Sequence, residues 1–571
     1  MIIDIRTLRD GSTLDHDVCI IGAGPAGLTL ARELDRLRIR ICLLESGGFD
    51  PDEATDGLSE VAPVDSDFDA PNEIRGRQFG GMANRWNVPI PRRGHGVRYL
   101  PLSAIDFEAR AWIPNSGWPF SLEALNGPYA RAQQLCGLDP LPFDTARWES
   151  ARVLRLPLDA SRVTTSVELI GVRDTFTRDA RRVLEKAVNI QTCLHAVVTG
   201  FEQSGDSTRV VSARVACLSG QRYTVRARLF VLAAGGIQNA RLLLLPTPTT
   251  PQGIGNEHDM VGRCYIDHVR VSAGTFRPAD RTLFKRAALY DTRAVTGAVA
   301  GSVALGRLTL SDAIMRGERL LHSAVQLIPK APPPVRRAVE AIRQLERAVR
   351  AGRLPPDLRS TVLSLGPGVS YILSTAPPLA IAQRTWRPSI EAGWSTLSHT
   401  RARFEQFELQ QQVELAPNSS NRLVLSRNAT DRLGIPQPEL HWRWTALDRS
   451  SQQRSLEVYA AELERAGLGV VDRFAEPVVQ DPAGAYHPMG TTRMHHDPRQ
   501  GVTDANARVH GTDNLYVAGS SLFPTGGYAN PTLTIVALAI RLADHLAAMA
   551  FRPAAPNVIT ARADPNGDLP R

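Results

Sequence analysis

A mixed α/β fold in two parts is predicted for this chain of 571 residues, on three observations. A strand, a glycine turn and a helix open the sequence. A buried strand and a long apolar helix close it. Between them lie short strand-like runs separated by turns, the pattern of an antiparallel sheet. The length exceeds one ordinary domain, and 43% apolar against 22% charged residues suits a globular protein with a large core. No stretch approaches 18 uninterrupted apolar residues, so no membrane span is expected.

The first element is the β-branched run Asp17–Ile21, followed at once by Gly22-Ala-Gly24-Pro-Ala26-Gly27 and the helical pattern Leu28–Leu37. Gly22 permits a tight turn, Gly24 lets backbone approach a pyrophosphate, and Gly27 lets the helix pack on the strand. The helix N-terminus, with Ala26 in its first turn, then offers free N–H groups and a positive dipole end to phosphate. A second strand, Arg40–Leu44, ends in Glu45, whose carboxylate is placed to accept ribose hydroxyls. This is a Rossmann-like dinucleotide cradle. A second glycine fingerprint is missing, since Ala234-Gly-Gly236 and Gly366-Pro-Gly368 lack the third glycine and its spacing. One dinucleotide is therefore expected, with electrons delivered directly by the substrate.

Further elements carry a resemblance to the glucose–methanol–choline (GMC) oxidoreductases. Arg75 to Asn87, containing Gly80, Gly81, Asn84, Arg85 and Trp86, resembles that family's flavin-covering loop. Leu229 to Arg241, with Ala234, Gly235 and Asn239, resembles its strand-to-helix crossover near the cofactor. Asn115-Ser-Gly117-Trp118-Pro119 resembles a loop of its bacterial members, and Gly255 to His268 the exit into the substrate domain. The most specific stretches are Tyr486-His487-Pro-Met-Gly490, Asn514 to Ser521 with Gly519 and Ser520, and Gly526-Gly-Tyr-Ala-Asn530-Pro531-Thr532.

The resemblance implies FAD as the cofactor and a pyranose- or glycoside-oxidising branch. It implies an FAD-binding domain from residues 1–100, 190–270 and 481–571, with a substrate-binding domain from 101–189 and 271–480 carrying an antiparallel sheet. Val413-Glu-Leu and Arg422–Ser426 read as strands of that sheet, leading to the turn Asp431–Gly434. His487 takes the place of the catalytic base and Asn530 its partner on the substrate oxygen. Val198 joins the glycine motifs and Gly519, Ser520, Asn530, Pro531 and Thr532 as cofactor contacts. Asn530 is also a good N-cap, with Pro531 as first helical residue, for a helix reaching about Ala548. Its positive end would face the flavin pyrimidine ring.

The expected reaction is hydride transfer from the CH–OH group of an alcohol, sugar or glycoside. Imidazole titrates near working pH, which suits a base on a hydroxyl proton. A tailoring oxidase of a bulky natural product, or a lyase with an idle flavin, are the alternatives. Oxygen, a quinone or a cytochrome would reoxidise the flavin, and the oligomeric state is left open. Arg85 stands where covalently flavinylated relatives carry histidine, so non-covalent FAD is expected. His95 is the nearest histidine along the chain.

Other features point away from competing functions. The net charge of +8 comes from 66 basic residues, all but Lys186, Lys285 and Lys330 arginine, spread along the chain without a patch. A nucleic-acid partner is not expected. His487, His495, His496 and Asp497 cluster in sequence, but the last three precede Pro498 in a polar turn, and no metal is expected. The six cysteines lack Cys-x-x-Cys spacing, and Met1–Asp17 lacks a signal-peptide layout, so reduced thiols and a cytoplasmic enzyme are expected. Residues 332–352, with apolar positions 335, 338, 339, 342, 345 and 349, read as a surface helix.

Overall fold

The computed structural model describes residues 1–69, 76–90, 94–138, 143–151, 153–294, 303–352, 357–366, 393–397, 400–480 and 485–550. Arg75, Pro367, Gly368 and residues 481–484 and 551–571 of the sequence reading lie outside them.

The β-branched run at the start forms the strand Thr13–Ile21, and the glycine turn leads into the helix Pro25–Asp35. The strand centres an eight-stranded sheet in the order Ile2–Asp4, Ile190–Leu194, Ile41–Leu44, Thr13–Ile21, Arg222–Leu232, Val210–Ala216, Val197–Gln203. Leu515–Val517 also pairs with Arg222–Leu232. From Ile2–Asp4 to Arg222–Leu232 all neighbours are parallel. Buried apolar runs among them, such as Ile41-Cys-Leu-Leu44, are what a sheet covered on both faces requires.

A nine-stranded antiparallel sheet forms the second layer, in the order Gly469–Val479, Val269–Pro278, Gln406–Val413, Ser323–Lys330, Val303–Leu310, Val163–Val172, Gly94–Tyr99, Val88–Ile90, with Arg293–Ala294 beside Val303–Leu310. Five of these strands come from residues 269–413, the stretch with the least recognisable sequence. Val88–Ile90 and Gly94–Tyr99 belong to this sheet, although they fall within the first 100 residues. The expected strand at Val413 is the end of Gln406–Val413, and Arg422–Thr430 lies elsewhere, in a small sheet with Pro436–Trp442 and Ala62–Ser66. The turn Asp431–Gly434 closes as expected, Gly434 N–H donating to the Asp431 carbonyl.

The helix Thr532–Ala550 is long and apolar enough to cross a membrane, yet most of it is buried against Pro25–Asp35 and Asn126–Leu135. Arg541 in its middle donates to the Ala505 carbonyl. It is a core helix. The surface helix is Pro333–Arg350, with Val335 and Ala338 buried and Val349 exposed.

Candidate active site

A cavity of about 600 Å³ lies between the two large sheets and runs from the glycine turn to His487. Gly22, Gly24, Ala26 and Glu45 border one end, with Gly81, Arg85, Trp86, Val198, Ala234 and Gly235 along the wall. His487, Gly519, Ser520, Asn530, Pro531 and Thr532 border the other end.

Backbone approach explains the cradle. A Cβ added at Gly24 would meet nothing within 4 Å, so that position faces open space where a pyrophosphate fits. Gly27 does the opposite work and is not on the wall, because its Cβ would stand 2.0 Å from the Gly22 carbonyl oxygen. Gly81 packs on the cradle itself, 3.0 Å from the Gly24 Cα by the same measure. Two glycine motifs far apart in sequence thus form one surface. Buried Glu45 accepts from the Ala23 N–H through one oxygen, and from the Gly47 N–H and Ser46 Oγ through the other. The oxygen that accepts only from Ala23 keeps acceptor capacity for a ribose hydroxyl. The residues fit an adenine dinucleotide.

Three expected cofactor contacts are corrected. Asn239 is fully buried: its Oδ1 accepts from the Ala234 N–H, and its Nδ2 donates to the Ala518 carbonyl and Ser521 Oγ. It pins the helix Gly235–Leu244 to the last strand. Asn84 Nδ2 donates to the carbonyls of Phe79 and Gly81 and holds the covering loop in shape. Gly80 lies behind the wall, where its Cβ would stand 2.8 Å from the Phe176 carbonyl oxygen. In each case the backbone consumed what the sequence offered to a ligand.

Met489 and Ile266 exchange both backbone hydrogen bonds, and this bridge lays Ala485–Met489 beside Ile266–Arg270. Asp267 Oδ1 accepts from the N–H groups of both His268 and His487. The imidazoles meet with Nδ1 to Nδ1 at 2.9 Å, and His268 Nε2 lies 2.9 Å from the Gly527 carbonyl oxygen.

This chain of contacts assigns the protons. A carbonyl only accepts, so His268 Nε2 carries hydrogen. Burial pushes the His268 pKa down to about 4, so the ring is neutral and its Nδ1 is a bare acceptor. His487 Nδ1 must then donate, which leaves its Nε2 with a lone pair. Burial, then His268, then Arg270 and Arg98 push the His487 pKa well below the ordinary imidazole value. The arrangement presents a neutral imidazole able to take a proton. His268 was quoted in the sequence as part of a domain exit and not as a site residue. Its only signal there was a polar Asp-His pair entering a buried strand.

Asn530 also borders the cavity, and its Oδ1 accepts from Gln412 Nε2 at 3.3 Å, leaving the amide NH₂ as a donor. It is not the N-cap. The helix begins at Thr532, so the residue flanking it is Pro531. Arg85 is exposed, pairs with Asp56 at 3.5 Å, and borders the cavity. His95 is exposed in the hairpin Val88–Tyr99 and is not on the cavity wall. Arg241, missed earlier, borders the cavity and pairs with Asp431 at 2.7 Å, fastening the turn of the small sheet to the crossover helix. Among the described residues no group of histidine, cysteine and carboxylate side chains is arranged to hold a metal.

Comparisons with known proteins agree with this architecture. Residues 417–539 match the GMC oxidoreductase family, and residues 15–50 match an FAD binding domain. The chain is 27% identical to the fructose dehydrogenase large subunit of Gluconobacter japonicus over 57% of its own length and 48% of that protein's. It is 25% identical to the 6'''-hydroxyparomomycin C oxidase of Streptomyces lividus over 95% of its length and 94% of that protein's. The solved structure of pyridoxine 4-oxidase from Mesorbium loti, 16% identical, superposes with a TM-score of 0.50 over 93% of this chain and 99% of that one, a likeness of fold.

Proposed function

We propose that this chain, a member of the GMC oxidoreductase family that binds FAD, oxidises a CH–OH group of a sugar or glycoside with His487 as the base. One observation carries the reading. The hydrogen-bond chain from the Gly527 carbonyl through His268 to His487 leaves a neutral Nε2 on the same cavity as the dinucleotide cradle.

Bound FAD supplies a hydride acceptor. The Gly22–Ala26 turn would hold its pyrophosphate, Glu45 its ribose, and Gly81, Val198 and Gly235 the wall beside it. The substrate hydroxyl gives its proton to His487 Nε2 while the carbon–hydrogen bond breaks, so a carbonyl product forms as the electron pair leaves. The Asn530 amide donates to the same substrate oxygen and fixes its direction. The first turn of the helix Thr532–Ala550 borders the cavity and offers backbone N–H groups where negative charge develops. Arg85 has no nucleophilic atom to offer, so the cofactor is held without a covalent bond. The six free, buried cysteines support the reading of a reducing, cytoplasmic setting.

The test is an anaerobic titration of the flavin-loaded enzyme with a panel of hydroxylated sugars. Bleaching of the oxidised flavin band is expected, and readmitted air restores it if oxygen is the acceptor. Substrate cleavage with the band unchanged would replace oxidation by lyase chemistry.

A further inference from the structure

The turn that carries Asn530 is held against one face of the second sheet. Successive strand residues point to opposite faces, so Gln411 turns to the helix Ala446–Arg465, donating to Ser455 Oγ and the Gln452 carbonyl, while Gln412 faces the cavity. By register Gln412 stands beside Ala324, whose short side chain leaves room for Arg307 from the strand beyond. Arg307 pairs with Glu168 at 3.1 Å, and its guanidinium also donates to Gln412 Oε1 and the Ala324 carbonyl, each at 3.4 Å. On the same face the Tyr528 hydroxyl meets Ser166 Oγ at 2.6 Å. Glu168, Arg307 and Gln412 are all buried.

These contacts leave one orientation for each amide. The Tyr528 carbonyl can only accept, so the Gln412 atom 2.6 Å from it is the NH₂ nitrogen. Arg307 can only donate, and it faces Gln412 Oε1, which agrees. The second hydrogen of the Gln412 NH₂ group then serves Asn530, and the atom that receives it at 3.3 Å is Oδ1. Turning the Asn530 amide over would set NH₂ against NH₂. Its own NH₂ group is thereby kept for the cavity, which Asn530 borders.

Resting on the reading of Asn530 as a donor to the substrate oxygen, we infer that Gln412 is a positioning residue which, with the Arg307–Glu168 pair behind it, keeps the Asn530 amide turned that way. The orientation matters to the chemistry. As the substrate hydroxyl gives its proton to His487, the oxygen left behind gains negative charge. An amide N–H aimed at that oxygen stabilises the charge, whereas an amide carbonyl would repel it and compete with His487 Nε2 for the proton. Gln412 thus does for Asn530 what His268 does for His487. Each is a buried side chain set by a group of fixed polarity, the Arg307 guanidinium in one case and the Gly527 carbonyl in the other. Together they make one member of the pair an acceptor and the other a donor.

The test is a double-substitution cycle on the flavin-loaded enzyme: the parent, Gln412→Met, Asn530→Ala and the two combined. Methyl glucoside is the probe or, where it leaves the flavin oxidised, whichever sugar of the panel bleaches it. Without oxygen, Gln412→Met is expected to lower the limiting rate of flavin reduction roughly two- to tenfold, the worth of one hydrogen bond, with little change in the half-saturating concentration. In the Asn530→Ala background the same exchange should cost almost nothing in rate, because no amide is left to orient. Urea midpoints of the four proteins, read without substrate, should be non-additive too, which reports the contact itself. A parental rate in Gln412→Met, an equal fold loss in both backgrounds, a shift in half-saturation alone or additive midpoints would each overturn the inference with Asn530 still standing. Parental reduction by Asn530→Ala would remove the reading of Asn530 and this inference together, as would a flavin that no sugar of the panel bleaches. Should Gln412→Met fail to fold, Gln412→Glu keeps the shape and carries the same cycle. Its carboxylate only accepts and draws the Asn530 NH₂ group to itself, so alone it should slow reduction at least as far as Asn530→Ala does, and less in that background.

Discussion

The turn Gly22–Gly27 and the sheet face carrying Arg270, Gln410 and Gln412 border the same cavity, yet they are made in different ways. The first wall is backbone: its function needs side chains to be absent, and a few consecutive residues specify it. The second is side chain: its function needs polar groups on strands whose neighbours lie far away in sequence. A binding wall made of missing atoms is broken by any addition, whereas one made of present atoms is tuned by exchange.

The largest effect that would test this contrast is at the backbone wall. Gly24→Val has room for its Cβ, so the protein is expected to fold but to be isolated colourless, its side chain standing in the pyrophosphate's place. Gly27→Val pushes a Cβ against the Gly22 carbonyl, and loss of folded protein is expected instead. Flavin-to-protein absorbance and circular dichroism separate the two outcomes. Stoichiometric FAD in Gly24→Val would break the comparison.

On the facing side, His487→Ala should keep FAD and slow anaerobic flavin reduction by about 10²–10⁴, the range for a positioned general base. Near-normal stopped-flow rates would remove His487 from the chemistry.

His268→Leu should cost less, roughly five- to hundredfold in reduction rate, because it removes one hydrogen bond that fixes the His487 tautomer. It also has a pH signature. The folded His268 titrates near 4, below the 6.5 of an unperturbed imidazole. As pH falls the unfolded chain takes up the proton first, so stability begins to fall below about 6.5 and this contribution is fully lost below about 4. The linkage amounts to about 3 kcal/mol. Melting temperatures across that window should drop more steeply in the parent than in His268→Leu. Parallel curves would mean that His268 is not held neutral.

The smallest effect is expected for Asn530→Ala, within about tenfold in rate, with little change in melting temperature. A loss of stability without loss of rate would return Asn530 to a capping role that the helix start at Thr532 does not give it.

The contrast also governs what the sequence could reveal. The cradle was legible because Gly22, Gly24, Gly27 and Glu45 act within one strand–helix–strand unit. Asn84 and Asn239 were overassigned because a short amide after a glycine pair serves backbone as readily as a ligand. His268 was not singled out because its role depends on a contact with His487, 219 positions away, made by the bridge between Ile266 and Met489. Arg270 and Gln412 become neighbours only through strand register, which no local pattern of the sequence between 270 and 410 encodes.

The place of Leu515–Val517 and Thr532–Ala550 has a consequence for biosynthesis. This strand pairs with Arg222–Leu232, and this helix packs on Pro25–Asp35, the helix that follows the glycine turn. Translation delivers the N-terminal cradle hundreds of residues before the elements that cover it. A nascent chain therefore presents a half-built pocket with exposed apolar faces for most of its synthesis, a stage at which chaperones guard large proteins. Cofactor capture becomes a late, post-translational event, and flavin supply acts on the finished chain.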